Sequence, residues 1–288
     1  MVLQYQEKGK VKMKEILIKI NNDNEFYDNV SGYIIGFKRF SILFRKTYTY
    51  DDIVKMKEKY KNKRLFVSLN APVFNSELDE YKKSLLLLDK IGLDGIIVGD
   101  QAALTYKLNT NIIIDFMHLN NSYSSINHYY NNGAIGVILT NDITLEEINN
   151  IRNNTNAILL KQVFGYAHLS TSMRKFISNY LEYYNLKKEN SEFYEISEDN
   201  KLYYKVIEDE NFTHILSCKV LNLLKYIGDI NCDYYIIDSY LIDKNLKIVI
   251  DSFITKDKSK NDVINNLFDC DDGFINKKTI YKVIKNDE

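Results

Sequence analysis

The sequence predicts an α/β protein of the (β/α)8 TIM-type barrel class, with an insertion between the seventh and eighth strands. Three observations predict it. Eight short apolar runs recur: Ile16–Ile20, Tyr33–Ile35, Leu65–Leu69, Gly95–Val98, Ile112–Ile114, Ile135–Leu139, Ile158–Val163 and Tyr234–Ile237. Most are continuously apolar rather than alternating, as in strands covered on both faces of a parallel sheet. Helical patterns separate them, and regular strand–helix alternation implies parallel pairing through right-handed crossovers. Eight strands close a barrel; an open doubly wound sheet is the alternative architecture.

The helices have readable starts. Thr49-Tyr50-Asp51-Asp52 has the form of a capping box, with Ile53, Met56 and Tyr60 on one face. Ser76-Glu77-Leu78-Asp79 opens a segment whose stripe is Leu78, Tyr81, Leu85 and Leu88, ended by Gly92. Thr144-Leu145-Glu146-Glu147 caps a helix that buries Ile148 and Ile151. In each case a side-chain hydroxyl can accept the orphan N–H groups of the first turn. The alternation breaks after Val163. Residues 164–230 form the expected excursion over the C-terminal mouth, with a helix near Thr171–Tyr184 and a charged segment, Lys187–Asn200. Residues 1–288 are read as a single barrel domain without a C-terminal β domain.

Composition narrows the function classes. A formal net charge of -1 provides no global basic field, so any nucleic-acid contact must be a local patch. Cys218, Cys232 and Cys270 are far apart and fit no CxxC-type metal spacing, which suggests free thiols in a reducing compartment. Met1 to Lys14 is polar and lysine-rich, without the apolar stretch of a secretory signal. No apolar run approaches the roughly 20 residues of a membrane helix. The expectation is a cytoplasmic protein with no membrane association. The heavy use of Asn and Tyr removes both as functional signals on count alone.

Three stretches carry a family resemblance. They are Leu93-Asp94-Gly95-Ile96-Ile97-Val98-Gly99-Asp100; Phe164-Gly165-Tyr166-Ala167-His168 continuing through Ser172 to Tyr180; and Val206-Ile207-Glu208-Asp209 through Thr213-His214-Ile215-Leu216-Ser217 to Asp233–Ser239. With Gly273-Phe274 and Thr279–Val283 near the end, the sequence resembles the short members of the collagenase-like peptidase U32 family. The family signature places two spaced cysteines where this chain has His168 and Lys175, and a glutamate where it has Leu160. The resemblance implies that four such cysteines hold an iron–sulfur cluster in the long members. The later pair has no counterpart between Leu181 and Ser197, so no cofactor and no metal is expected here.

In a barrel, strand C-terminal ends face the site, which makes Asn70, Asp100, Asp115, Thr140, Gln162 and Asp238 candidates. For Asp100 and Thr140 the favoured role is to cap the following helices. Asp115 and His118 form a carboxylate–imidazole combination suited to acid–base work, and with His168 they are the candidate catalytic residues. Asn70, Gln162, Arg174, Glu208, His214 and Asp238 are the candidate substrate-binding residues. Ser170-Thr171-Ser172 followed by Arg174 suggests a phosphate- or carboxylate-binding turn. No HExxH, GxSxG or adjacent Cys/His pair is present to mark a peptidase mechanism. The resemblance implies two functions. One is a cluster-free partner subunit, working with a long cysteine-bearing paralogue on tRNA wobble-uridine hydroxylation. The other is a collagenase-like peptidase. The basic side chains around Arg174 suggest a third reading, a stand-alone barrel binding an anionic metabolite.

Overall fold

The computed structural model describes residues 15–117, 120–198 and 201–277. Met1 to Lys14, His118 and Thr279–Val283 therefore lie outside the described residues. Among the described residues, thirteen strands run in chain order as β1 (Glu15–Lys19), β2 (Gly32–Phe37), β3 (Thr47–Tyr48), β4 (Arg64–Leu69), β5 (Gly95–Val98), β6 (Ile112–Ile114), β7 (Ala134–Leu139), β8 (Ile158–Ser172), β9 (Tyr194–Glu198), β10 (Leu202–Glu208), β11 (Thr213–Asn222), β12 (Tyr234–Asp238) and β13 (Cys270–Asp271). The α-helices are α1 (Tyr50–Lys59), α2 (Leu78–Leu88), α3 (Tyr123–Asn131), α4 (Leu145–Asn153), α5 (Phe176–Tyr183), α6 (Leu246–Thr255) and α7 (Asn261–Leu267).

Eight strands pair in parallel in the order β12-β1-β2-β4-β5-β6-β7-β8, and a β12–β8 ladder closes the ring. This is the closed (β/α)8-type barrel that the eight apolar runs predict. Side-chain alternation divides its core in two. Leu17, Ile34, Phe66, Ile97, Ile113, Leu160, Tyr234 and Ile236 fill the barrel interior. Their neighbours, Ile16, Ile18, Ile35, Val67, Ile96, Ile114, Val137 and Leu159 among them, face outward onto the helices. Burial on both faces is why these strands read as unbroken apolar runs.

Two capping boxes form as their sequences predict. The Thr49 and Thr144 hydroxyls accept from the N–H groups of Asp52 and Glu147, whose carboxylates return to the cap N–H groups. The start near Ser76 differs. Asn75–Glu77 forms a 3-10 turn, α2 begins at Leu78, and it is Glu77 that reaches back to the N–H of Phe74. Asp100 caps the 3-10 turn Gln101–Thr105 through the N–H of Ala102.

The insertion is mainly β-structure. The helix expected near Thr171–Tyr184 is only α5, Phe176–Tyr183, because β8 runs on through Ser172. The first half of β8 closes the barrel against β12, and the second half pairs antiparallel with β11. The strand changes partners at Gly165, where φ is +118 and a Cβ would lie 2.4 Å from the carbonyl oxygen of Asp238. Only glycine tolerates both the conformation and the approach. Beyond it β11, β10 and β9 form an antiparallel meander. The β10–β11 turn carries Phe212, which packs against Ile42, Ala71 and Met117 and stacks on Phe74. Those residues follow the second, third and fifth barrel strands, so the hairpin arches from the seventh strand across the mouth. Arg45, beyond β2, pairs with Glu192 in the insertion and Asp243 after β12, fastening a second side of the roof. Among the described residues, no helix is long and apolar enough to cross a membrane.

Candidate functional site

Beneath this roof, at the C-terminal ends of the barrel strands, lies a cavity of about 100 Å³. Its polar wall includes Lys19, Asn70, Asp115, Gln162, His168 and Asp238. Phe44, Tyr166 and Tyr240 supply aromatic surface. Lys19 is the last residue of β1 and shares the inward face with Leu17. Its ammonium donates to Asp238 Oδ2 at 2.9 Å, with the two side chains only 13% and 12% exposed, and lies 4.5 Å from the centre of the Phe44 ring. Asp238 Oδ1 also accepts from the Tyr240 N–H at 2.9 Å and the Asn21 amide at 3.3 Å. A largely desolvated pair of this kind is held by its additional hydrogen bonds as much as by charge.

Asp115 stands beside this pair. Asn70 Nδ2 donates to its Oδ2 at 3.3 Å, while Asn70 Oδ1 accepts from the Ile42 N–H at 3.1 Å, so the amide is oriented from behind. Burial pushes the Asp115 carboxyl above the usual range. The Lys19 ammonium, the Asn70 amide and the Met117 N–H offset this only in part, and Asp238 adds to the rise. Among the described residues, the mouth thus holds one lysine and two carboxylates with unequal environments, an arrangement that separates acid and base roles. A third set of contacts is neutral. Asn141 Nδ2 donates to Gln162 Oε1 at 2.7 Å, and Gln162 Nε2 donates to the Tyr166 carbonyl at 3.1 Å. Asn141 Oδ1 in turn accepts from Lys161 at 2.6 Å. Lys161 faces outward from the barrel, is completely buried, and its ammonium is brought down to about 7 by that burial.

The structure brings together six of the residues singled out from sequence: Asn70, Asp115, Thr140, Gln162, His168 and Asp238. His118 is outside the described residues. Three others lie away from the cavity wall. Arg174 is exposed, and its backbone carbonyl accepts from Thr213. Glu208 accepts from the N–H groups of Ile177 and Ser178 and from the Ser178 hydroxyl, so it anchors the first turn of α5. Burial raises its carboxyl, but the Ser178 hydroxyl and those N–H groups outweigh burial and hold it below the ordinary value. His214 is buried behind His168, with ring centres 6.0 Å apart. The anion-binding turn suggested around Ser170-Thr171-Ser172 is instead extended strand, and the Thr171 hydroxyl is engaged by both histidines.

Lys19, Asn141, Tyr166 and Tyr240 were not legible as site residues. For Lys19 a signal exists: a lysine at an inward position of an otherwise apolar run needs a partner in the interior. The tyrosines carried none, being common throughout the chain.

Comparison with known proteins agrees with this architecture. A protein of Bacillus subtilis (strain 168) described as "tRNA hydroxylation protein P2" is 26% identical over 227 residues, covering 73% of each chain. The solved structure of the U32 peptidase Mk0906 superimposes with a TM-score of 0.51 at 13% identity, over 82% of this chain and 95% of that one, a likeness of fold alone. The profile of peptidase family U32 matches residues 28–246, and the chain belongs to that family.

Proposed function

We propose that this protein is a cluster-free subunit of a cytoplasmic system that hydroxylates the wobble uridine of tRNA, acting beside a cysteine-bearing paralogue. The observation that carries this reading is the similarity to the tRNA hydroxylation protein over 73% of both chains. The charged mouth supports it, because Lys19, Asp115 and Asp238 form a preorganised site for a small polar molecule. Lys19 is placed to meet an anionic or carbonyl oxygen. Asp115, with its raised proton affinity, can donate to an acceptor or take a proton from a donor.

The residues at the family's cysteine positions do not suit an iron–sulfur cluster, which requires thiolates. His168 Nε2 is engaged by Ser170 and Thr171, and the Lys175 ammonium donates to the Asp209 carbonyl at 2.7 Å. The cysteines do not substitute for them. Cys232 is buried and donates to the Tyr234 carbonyl, and burial pushes the Cys270 thiol up to about 12. The peptidase reading has less support. Among the described residues, Thr171 is a hydroxyl placed beside an imidazole, and it is already committed to two histidines.

The test is genetic and chemical. The gene is deleted in its own cell, and 5-hydroxyuridine in tRNA is measured by mass spectrometry. Loss of the modification, restored by the wild-type gene but not by Asp115→Asn or Lys19→Met, is the expected result. An unchanged level after deletion would sink the proposal. Affinity capture of the native protein should also recover a cysteine-bearing paralogue.

A further inference from the structure

The cavity wall between β7 and β8 is held from behind. Lys161 and Gln162 are consecutive on β8, so their side chains leave opposite faces of the strand, Lys161 toward the helices and Gln162 into the mouth. Lys161 Nζ donates to the Thr140 carbonyl at 2.7 Å and to Asn141 Oδ1 at 2.6 Å. Asn141 lies just beyond β7, and its Nδ2 donates to Gln162 Oε1 at 2.7 Å. Gln162 Nε2 donates to the Tyr166 carbonyl at 3.1 Å. A side chain on the outer face of the barrel is thus tied, through one amide, to a side chain on the inner face.

The direction of these bonds is required at both ends. An ammonium only donates, so Asn141 meets Lys161 with its oxygen and turns its NH2 to Gln162. A carbonyl only accepts, so the Tyr166 end independently requires the NH2 of Gln162. The two requirements agree. Reversing either amide would set NH2 against ammonium or oxygen against oxygen. The charge is not needed for this, because a neutral amine still has two N–H groups for its two acceptors. Those acceptors are both uncharged, so Lys161 gains no ion pair from them in return for its burial. An apolar side chain would fill the same space without that desolvation cost. What the lysine supplies is direction.

Asn141 and Gln162 both line the cavity. Each amide oxygen accepts from the chain, and each amide nitrogen carries a second hydrogen beyond the one the chain uses. We propose that Lys161 is a positioning residue that, through Asn141, orients Gln162 so that this part of the wall offers N–H donors to an oxygen acceptor of the bound molecule. A ligand N–H at the same place meets hydrogen rather than a lone pair and is disfavoured. The use of these donors rests on the mouth being the ligand site. The amide orientation does not, and it is measured without any ligand, so its failure and failure of the tRNA reading are distinguishable.

The experiment is 1H–15N correlation of the side-chain amides in the full-length protein, with the two NH2 pairs assigned by Asn141→Ala and Gln162→Ala. Lys161→Met removes the donor at nearly constant volume. Lys161→Gln returns an NH2 to Asn141 without the charge. Lys161→Met should shift the Gln162 pair, which Lys161 does not touch, and leave in place the pair of Asn70, which lines the same cavity outside this chain. Lys161→Gln should bring the Gln162 pair back toward its wild-type position. In the deletion strain, at equal protein level, Lys161→Met should lower 5-hydroxyuridine by about tenfold or more, and Lys161→Gln should retain most of it. A Gln162 pair that ignores Lys161→Met would overturn the positioning role. So would equal displacement in both variants, because a donor without effect sets no direction. Full modification in Lys161→Met with the Gln162 pair displaced would overturn the use of these donors. An unchanged 5-hydroxyuridine level after deletion of the gene would instead bring down the tRNA reading, with the spectra still deciding the orientation.

Discussion

Lys19 has two carboxylates to satisfy. It bonds Asp238 directly and opposes the charge of Asp115, all within a wall shielded by the roof. Removing one partner of such a pair leaves the other charge stranded, so Lys19→Met should cost about 3–5 kcal/mol in urea unfolding, and adding Asp238→Asn should recover much of that loss. Lys161 makes a different prediction. In the unfolded chain it holds its proton up to about pH 10.4, but in the fold it loses it near 7. Between those values unfolding takes up a proton, so stability rises with pH. Measured against Lys161→Met, wild-type stability should climb by up to about 1.4 kcal/mol per pH unit above about pH 7. A flat difference from pH 7 to 9 would show that Thr140 and Asn141 hold the ammonium charged. Both lysines sit within or at the end of apolar runs, and those runs masked them. The strand ends Asn70, Asp115, Gln162 and Asp238 were legible because barrel geometry assigns positions from strand order alone. His214 was legible as a residue of interest but not as a partner of His168, since that pairing depends on a register spanning two bulges in the β8–β11 ladder.

At the scale of elements, local chemistry and tertiary contact divide the work. The Thr144 capping box is local, and Thr144→Ala should lower stability by about 1 kcal/mol, read from the urea midpoint. Both threonine boxes were readable because four consecutive residues suffice to form them. The β9–β11 meander was read as a charged excursion with a helix, although Tyr203–Ile207 and Thr213–Leu216 are rich in β-branched and aromatic residues. Its strands face the core on one side only, so their apolar signal is diluted by alternation. The roof depends on Phe212, 5% exposed in its pocket of Ile42, Ala71 and Met117. Phe212→Ala should cost about 3 kcal/mol. The loss should appear first as faster amide exchange in β10 and β11, while β5 and β6 stay protected. Equal acceleration everywhere would mean that roof and barrel unfold as one unit.

For the whole molecule, the governing fact is where the ring closes. β1 is held between β2 and β12, and Lys19 meets Asp238 across 219 residues of sequence. Contacts so distant make folding slow and favour populated intermediates in a chain of this length. In refolding followed by pulse-labelled amide exchange, the neighbouring pairs β4–β5 and β5–β6 should gain protection before β1 and β12 do. The same closure bears on birth as well as refolding. At about 5–20 residues per second, a ribosome needs roughly 10–45 s to travel from Lys19 to Asp238. Throughout that interval β1 has an unpaired edge facing a partner that does not yet exist, in a segment whose centre is Ile16-Leu17-Ile18. Of the eight barrel strands, β1 is thus the first to be synthesised and among the last to be completed, and it is around β1 that the nascent chain has most need of a chaperone.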